Sequence, residues 1–514
     1  MQPADLDEAL TEQFEINREL WEVALEPWGS GVLPSAYELA RARRSLQETL
    51  PNEGLGFAQT RDHILNDVVP GLNAASLSPN YYGFVTGGVT PAALFADNVV
   101  STYDQNVQVH LPDHSIATDV EYRALGLLTD LLRLDRQIWQ NGTFTTGATA
   151  SNIMGLACGR EFVLRAAAER RGSPVTSVGE YGLFEVMQAA GLSGVQVLST
   201  MPHSSLGKAA GVLGIGRANL KSICSTSQDD NNPLEIDMQL LERELARPDR
   251  ASTVAISCGE VNTGRFATTG IQQMQEIRRL CDKYGAWLHV DGAFGIFGRI
   301  LYHPFSPEFS SITKGCEGME LADSITGDAH KFLNVPYDCG FFLCRHPSSG
   351  LAEDVFRNPN AAYLSSGKAT ATDTIPSPLN IGVENSRRFR ALPVYASLVS
   401  YGRNGFQDLL QRQIRLARMI ADWLFDHPAY TVLPTSRTKA ELLHKTSMIV
   451  LFRANDETLN QELSKRINGT SKMFVSGTVW EGKPACRIAI SNWRVDEQRD
   501  FAIVRNVLGR VAQM

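Results

Sequence analysis

Lys331 follows His330 directly inside ITGDAHKFLNVPYDCG, a stretch from Ile325 to Gly340 with few other charges. A lysine is ordinarily a solvated surface residue. Kept among apolar neighbours it gives up its proton more readily, and its free amine can then attack a carbonyl carbon. Such a lysine, placed here after the polar stretch LADSITGDAH, needs companions, and three further features stand just beyond short apolar runs. After WQNGTF comes TTGATASN, a small-residue turn that opens a helix and offers free backbone N–H groups to a phosphate. The same pattern also serves as a plain tight turn. It is not a P-loop, and GIGRAN lacks the third glycine of a dinucleotide fingerprint. After VQVLSTMP comes His203, and after AWLHV comes Asp291, a carboxylate whose burial costs several kcal/mol unless it meets a cation or strong donors. Asp291 reads either as a helix N-cap or as the partner of a protonated heterocyclic nitrogen.

A phosphate cradle, a flat imidazole, a carboxylate for a ring nitrogen and a reactive lysine, in that order, fit pyridoxal 5'-phosphate. Lys331 would hold its aldehyde as an imine. Asp291 would keep the pyridine nitrogen protonated, so that the ring can take up electrons from a neighbouring carbon.

The elements that must position these residues are legible in the pattern. GVQVLS, STVAIS, AWLHVD and GFFLC are short apolar runs bounded by glycine and polar residues. NIMGLACGREFVLRAAAERR and GIQQMQEIRRLCDKYG read as helices, the second closing on Gly285. Strands alternating with helices predict an α/β domain with a mostly parallel sheet covered on both faces, whose ligands sit beyond the strands' C-terminal ends. After about Arg390 a long helical stretch precedes SMIVLFR and ACRIAIS, which predicts a smaller α+β domain. The expected division is a helical N-terminal segment over 1–106, a large domain over 107–388 and a small one over 389–514. Leu6, Leu10, Phe14, Leu20 and Trp21 form an apolar helical stripe suited to packing or a dimer contact.

Bulk properties exclude several classes. A net charge of −8 and the absence of a basic stripe argue against nucleic acid. No uninterrupted apolar run is long enough for a membrane span, and the acidic N-terminus does not read as a signal peptide. The eight cysteines form no CxxC pair and there is no HExxH, so neither structural zinc nor a disulfide framework is expected. The chain reads as a reduced, cytoplasmic protein.

Taken together, DAHKFLNVPYDCG, HVDGAFG, MPHSS and TTGATASN identify a resemblance to the group II pyridoxal-phosphate-dependent amino-acid decarboxylases, from about Ser78 to Arg494. These include the aromatic-amino-acid and glutamate decarboxylases. The resemblance implies the aspartate-aminotransferase-like fold (fold type I) and a homodimer with active sites at its interface. It implies that His203 stacks on the cofactor ring, Asp291 pairs with its nitrogen, Ala293 packs against it and Lys331 binds its aldehyde. Ala148 and Thr149 would hold the phosphate with help from Ser324 and His330. SPNYYGFVTGG would border the substrate, through Tyr82 and Phe84.

The chain departs from its relatives in three places. Gly259-Glu260-Val261 stands where many have Gly-Thr-Thr, which brings Glu260 in as a substrate-side residue. The segment 365–380, SSGKATATDTIPSPLN, lacks the tyrosine that many relatives use to return a proton, with Tyr363 just before it. Asp328 stands where some carry asparagine. The resulting expectation is decarboxylation of an L-amino acid to its amine, with an aldehyde synthase or carbon–carbon lyase as alternatives and an inactive dimeric scaffold as a further one.

Overall fold

Strands whose residues are buried on both faces have nowhere to go but the middle of a covered sheet. The computed structural model describes residues 31–513 apart from 140, 226–232, 303–306, 346–349 and 358–374. The expected stripe from Leu6 to Trp21, and Tyr363, lie outside the described residues.

Two helices, α1 (Pro91–Tyr103) and α2 (Ala117–Leu131), lead into the large domain. There follow β1 (Gly142–Thr145), α3 (Ala148–Arg170), β2 (Gly194–Ser199), α4 (Ser204–Val212), β3 (Leu220–Ser222) and β4 (Arg250–Ser257). Next come α5 (Ile271–Tyr284), β5 (Trp287–Asp291), β6 (Ser324–Asp328) and β7 (Gly340–Cys344). These seven strands form one sheet in the order β1-β7-β6-β5-β4-β2-β3, in which only β7 runs against its neighbours. Helix α5 buries Met274, Ile277, Leu280 and Cys281 on one stripe and ends on Gly285, whose φ of 69° is the left-handed turn the sequence pattern predicts there.

The small domain begins with α6 (Ala391–Asp426), broken at Gly402. It continues through β8 (Tyr430–Leu433), β9 (Ile449–Ala454), α7 (Glu457–Asn468), β10 (Ser476–Trp480), β11 (Lys483–Ala489) and α8 (Glu497–Val511). Its four strands make an antiparallel sheet ordered β10-β11-β9-β8. The segment before α1 is clamped to this domain: Tyr81 bridges to Phe474 and stacks on its ring at 4.6 Å. No helix among the described residues is long and apolar enough to cross a membrane.

One buried ion pair joins the segment before α6 to the large domain. The Arg387 guanidinium donates to Glu121 Oε1 on α2 at 3.0 Å, to Thr143 Oγ1 at 3.0 Å and to the Phe144 carbonyl at 2.8 Å, both on β1. Both side chains are almost fully buried. Arg387→Met strands the Glu121 carboxylate and should cost about 3–5 kcal/mol of stability, read from the denaturant midpoint. A loss below about 1 kcal/mol, the value of an exposed pair, would contradict this assignment.

Candidate active site

The C-terminal ends of β1, β2, β4, β5 and β6 open onto one cavity of about 390 Å³. Its walls include Thr146, Gly147, Ala148 and Thr149 at the start of α3, His203 before α4, Gly259 and Val261 after β4, and Asp291, Ala293 and Phe294 after β5. Asp328, His330 and Lys331 enter from the end of β6, and Phe84, Val85, Tyr337 and Arg487 from elsewhere in the chain.

Asp291 ends a wholly buried strand and is itself 5% exposed. Its Oδ1 accepts the Ala293 N–H at 3.2 Å and its Oδ2 accepts from Asn152 Nδ2 at 2.9 Å. No cation pairs with it among the described residues. His203 caps α4: its Nδ1 accepts the Ser205 N–H at 3.2 Å and lies 2.8 Å from Ser205 Oγ, so in the neutral ring Nε2 carries the hydrogen. Burial pulls its pKa below the usual histidine value, with Lys331 adding to the effect and Asp291 opposing it. The ring is therefore neutral at neutral pH.

Lys331 lies on a single turn after β6, its Nζ 2.7 Å from Asp328 Oδ2. Backbone packing holds it there. A Cβ on Gly87 would sit 1.9 Å from the Lys331 carbonyl, so only glycine lets the segment before α1 pass, and Asn334 Nδ2 donates to the Gly87 carbonyl at 2.6 Å. His330 accepts the Cys339 N–H on Nδ1 at 3.2 Å and packs against Tyr337 at 4.4 Å between ring centres. Burial lowers its pKa also.

Asp328 Oδ1 accepts the Ala148 N–H at 2.5 Å, at the N-terminus of the 23-residue helix α3. A carboxylate thus sits where the helix end favours an anion. Asp328 does not turn away from the start of α3, because the helix N–H and the lysine both draw its carboxylate in. His330 Nε2 lies 3.5 Å from the same oxygen.

Three expected site residues lie elsewhere. Ser324 is fully buried at the far end of β6, where its Oγ meets Trp287 Nε1 at 3.0 Å and His289 Nδ1 at 2.8 Å; it is the first residue of the five-residue strand whose last residue, Asp328, reaches the site. Tyr82 points into the small-domain core, its hydroxyl accepting from Asn80 Nδ2 at 2.9 Å, while Phe84 reaches the cavity. The chain turns at this point, with Phe84 at a left-handed φ of 60°, and that turn sends the two rings to opposite sides. Glu260 turns back into its own loop, accepting the Asn262 and Thr263 N–H groups at 2.9 and 2.8 Å, so its neighbours Gly259 and Val261 line the cavity instead. Of the arginines in ENSRRFRALP, Arg387 forms the buried pair already described, Arg388 meets Asp97, and Arg390 meets Asp338 at 2.8 Å and Glu384 at 3.3 Å.

Sequence reasoning missed Arg487. It lies on β11, 5% exposed, and its Nε and Nη2 are buried without a hydrogen-bond partner among the described residues. Burial pulls its pKa down to about 10, against the pull of Glu260. The signal was there: a lone arginine interrupts the apolar run ACRIAIS.

The arrangement fits the cofactor expected from the sequence. A buried carboxylate without a cation faces the cavity, a helix end already draws an anion, and a lysine amine enters the same cavity. Fold and site together define a pyridoxal-phosphate-dependent enzyme. Residues 40–437 match the pyridoxal-dependent decarboxylase conserved domain, and the chain belongs to that family, whose cofactor is pyridoxal 5'-phosphate. It is 28% identical to L-2,4-diaminobutyrate decarboxylase of Acinetobacter baumannii over 287 residues, 55% of this chain, and spans only 52% of that protein's length. Tyrosine decarboxylase 2 of Arabidopsis thaliana is 25% identical over 449 residues, 87% of this chain and 76% of that one. The crystal structure of Oryza sativa TDC with PLP and tryptamine superposes with a TM-score of 0.78 at 22% identity, covering 100% of this chain and 98% of that one.

Borohydride reduction of the cofactor-loaded protein, followed by peptide mapping, should place the cofactor's mass on Lys331. Lys331→Ala should carry none while keeping the wild-type melting profile, and label on another lysine would refute the assignment. Asp328→Asn should bind the cofactor more tightly in a spectroscopic titration, since a neutral amide no longer competes with phosphate for Ala148 N–H; weaker binding would contradict that.

Proposed function

We propose that this enzyme decarboxylates an L-amino acid with an uncharged side chain, giving the amine and carbon dioxide. The observation that carries this reading is Arg487, a buried cation with two unpartnered N–H groups in the same cavity as Lys331. A buried guanidinium is costly until an anion meets it, and a substrate carboxylate supplies that anion in bidentate geometry.

Pyridoxal 5'-phosphate, when bound, supplies an aldehyde for the substrate amine and a ring that accepts the electron pair left as carbon dioxide departs. The chain's own residues do the rest. The N-terminus of α3, with Ala148 and Thr149, takes the phosphate; Asp291 holds a proton on the ring nitrogen; Ala293 and the His203 ring bound the ring's faces. Lys331 keeps the cofactor between turnovers. The carbon–carbon bond to the carboxylate breaks and a proton must take its place. Lys331 Nζ and the Nε2–H of His203, both lining the cavity, are the proton carriers this reading assigns to that step.

The walls left for a side chain are Phe84, Val85, Val261 and Tyr337, which suit apolar bulk. No second unpartnered cation stands among the described lining residues to receive a second carboxylate. We further read the enzyme as a homodimer, supported by exposed apolar side chains along α1 and α6: Phe95 at 64%, Tyr103 at 72% and Val399 at 60%. A cytoplasmic setting is supported by eight free cysteines, seven of them buried.

The test is a pool of amino acids given to the cofactor-loaded protein in air, with products followed by mass spectrometry. The amine of a neutral amino acid is expected, with little from glutamate or aspartate. An aldehyde would overturn simple decarboxylation and direct attention to the tyrosine-free segment 365–380. Arg487→Met should lower kcat/KM about 10- to 100-fold, the worth of hydrogen bonds to a charged group. Unchanged kinetics would remove Arg487 from the substrate site.

A further inference from the structure

Behind Asp291 a chain of buried polar side chains runs from β5 and β6 to α3. Trp287 Nε1 donates to Ser324 Oγ at 3.0 Å, and Ser324 Oγ lies 2.8 Å from His289 Nδ1. His289 Nε2 lies 2.9 Å from Asn152 Oδ1, which also accepts from Thr326 Oγ1 at 2.9 Å. Asn152 Nδ2 then donates both to Asp291 Oδ2 at 2.9 Å and to Ser205 Oγ at 3.0 Å. Ser205 Oγ in turn touches His203 Nδ1 at 2.8 Å. Asn152, His289, Ser324 and Thr326 are all 0% exposed.

The two ends give this chain a direction. An indole N–H can only donate, so Ser324 Oγ accepts from it and keeps its own proton available for His289 Nδ1. That leaves the hydrogen of the neutral imidazole on Nε2, pointing at Asn152 Oδ1; burial pulls the His289 pKa down to about 3, so the ring stays neutral. At the other end an ionised carboxylate can only accept, so Asn152 must present its NH₂ to Asp291. That orientation turns Asn152 Oδ1 toward His289, so Nε2 carries the ring hydrogen and Nδ1 is left to accept from Ser324. All four hydrogen-bonding positions of Asn152 are filled, and reversing the amide would set its oxygen against the acceptor-only carboxylate of Asp291. The backbone makes room for the ring: a Cβ on Gly155, one turn along α3, would lie 2.4 Å from His289 Cε1.

We propose that Asn152 is a positioning residue for the decarboxylation, locked by the His289–Ser324–Trp287 relay so that one amide group orients both Asp291 and, through Ser205, His203. This rests on the reading that Asp291 faces the cofactor's ring nitrogen. A hydrogen-bond donor beneath Asp291 keeps its carboxylate ionised and aimed, which in turn keeps the ring nitrogen protonated.

The experiment strips the holoenzyme of cofactor and titrates pyridoxal 5'-phosphate back, following absorbance across pH, for wild type and four variants with matched melting curves. Asn152→Asp is isosteric but places a second carboxylate against Asp291. It should weaken cofactor binding about 10- to 100-fold at neutral pH, the worth of a hydrogen bond to a charged group. The gap to wild type should narrow as pH falls, because a shared proton restores the donor. His289→Phe should weaken binding similarly, and His289→Gln, which can still donate from the Nε2 position, should recover most of it. Asp291→Asn is the reference. If Asn152→Asp and His289→Phe match wild type while Asp291→Asn fails, the relay is refuted and the Asp291 reading stands. If Asp291→Asn also matches wild type, both fall. Should His289→Phe not fold, the pH-dependent gap of Asn152→Asp decides alone, and a pH-independent gap refutes the relay.

Discussion

The structure turns on a carboxylate at the end of a strand with no exposed face. Asp291 cannot be solvated there, and an ionised carboxylate stripped of water costs several kcal/mol unless donors replace it. Those donors come from two directions: the Ala293 N–H beyond the strand end, and Asn152 from a helix that must lie close against the sheet. Much of the surrounding construction follows. Helix α3 crosses β4, β5 and β6 near enough that Gly155 is required against His289 and Gly159 against Trp287. The same closeness brings its N-terminus, and the N–H of Ala148, to the rim of the cavity. One helix thus offers an anion site at its tip and a neutral donor a turn further on.

Charge in the cavity is divided between the domains. The large domain supplies Asp291, Asp328, Lys331 and two histidines whose pKa values burial lowers. Asp328 and Lys331 neutralise each other at 2.7 Å. The small domain supplies Arg487, and with it a positive charge that Glu260 offsets only at a distance because that carboxylate is spent on its own turn. The substrate contact proposed for Arg487 therefore comes from the small domain, on a side chain that belongs to neither the start of α3 nor the lysine turn.

Local pattern carried the parallel strands, helix α5 and its Gly285 cap, and the strand-end positions of His203, Asp291 and Lys331. His203 and Asp291 are each stated by an apolar run and then a polar side chain, whereas Lys331 follows a stretch that reads as a polar loop, LADSITGDAH, and is strand β6 in the structure. Ser324 shows where such reading stops. It sits on the same strand that leads to Lys331, yet at the wrong end of it, and only the register of β6 against β5, which sets Ser324 opposite His289, reveals that. Tyr82 and Phe84 differ in the same way. Two aromatics two residues apart look equivalent in a string, but a turn between them gives one to the small-domain core and the other to the cavity.

The amino-acid sequence by itself determined the α/β class, the order of the strands' catalytic-type residues and the cofactor they suit, because each rests on neighbours in the chain and on side-chain chemistry. Only the tertiary structure decided that Arg487 shares a cavity with Lys331, 156 positions earlier in the sequence. It alone turned Glu260 inward and aligned Trp287, Ser324, His289 and Asn152 behind Asp291. The reason is physical. Which end of a strand a residue occupies, and which donor remains unpartnered, depend on how separate segments dock and exclude water, and that is a property of the packed chain.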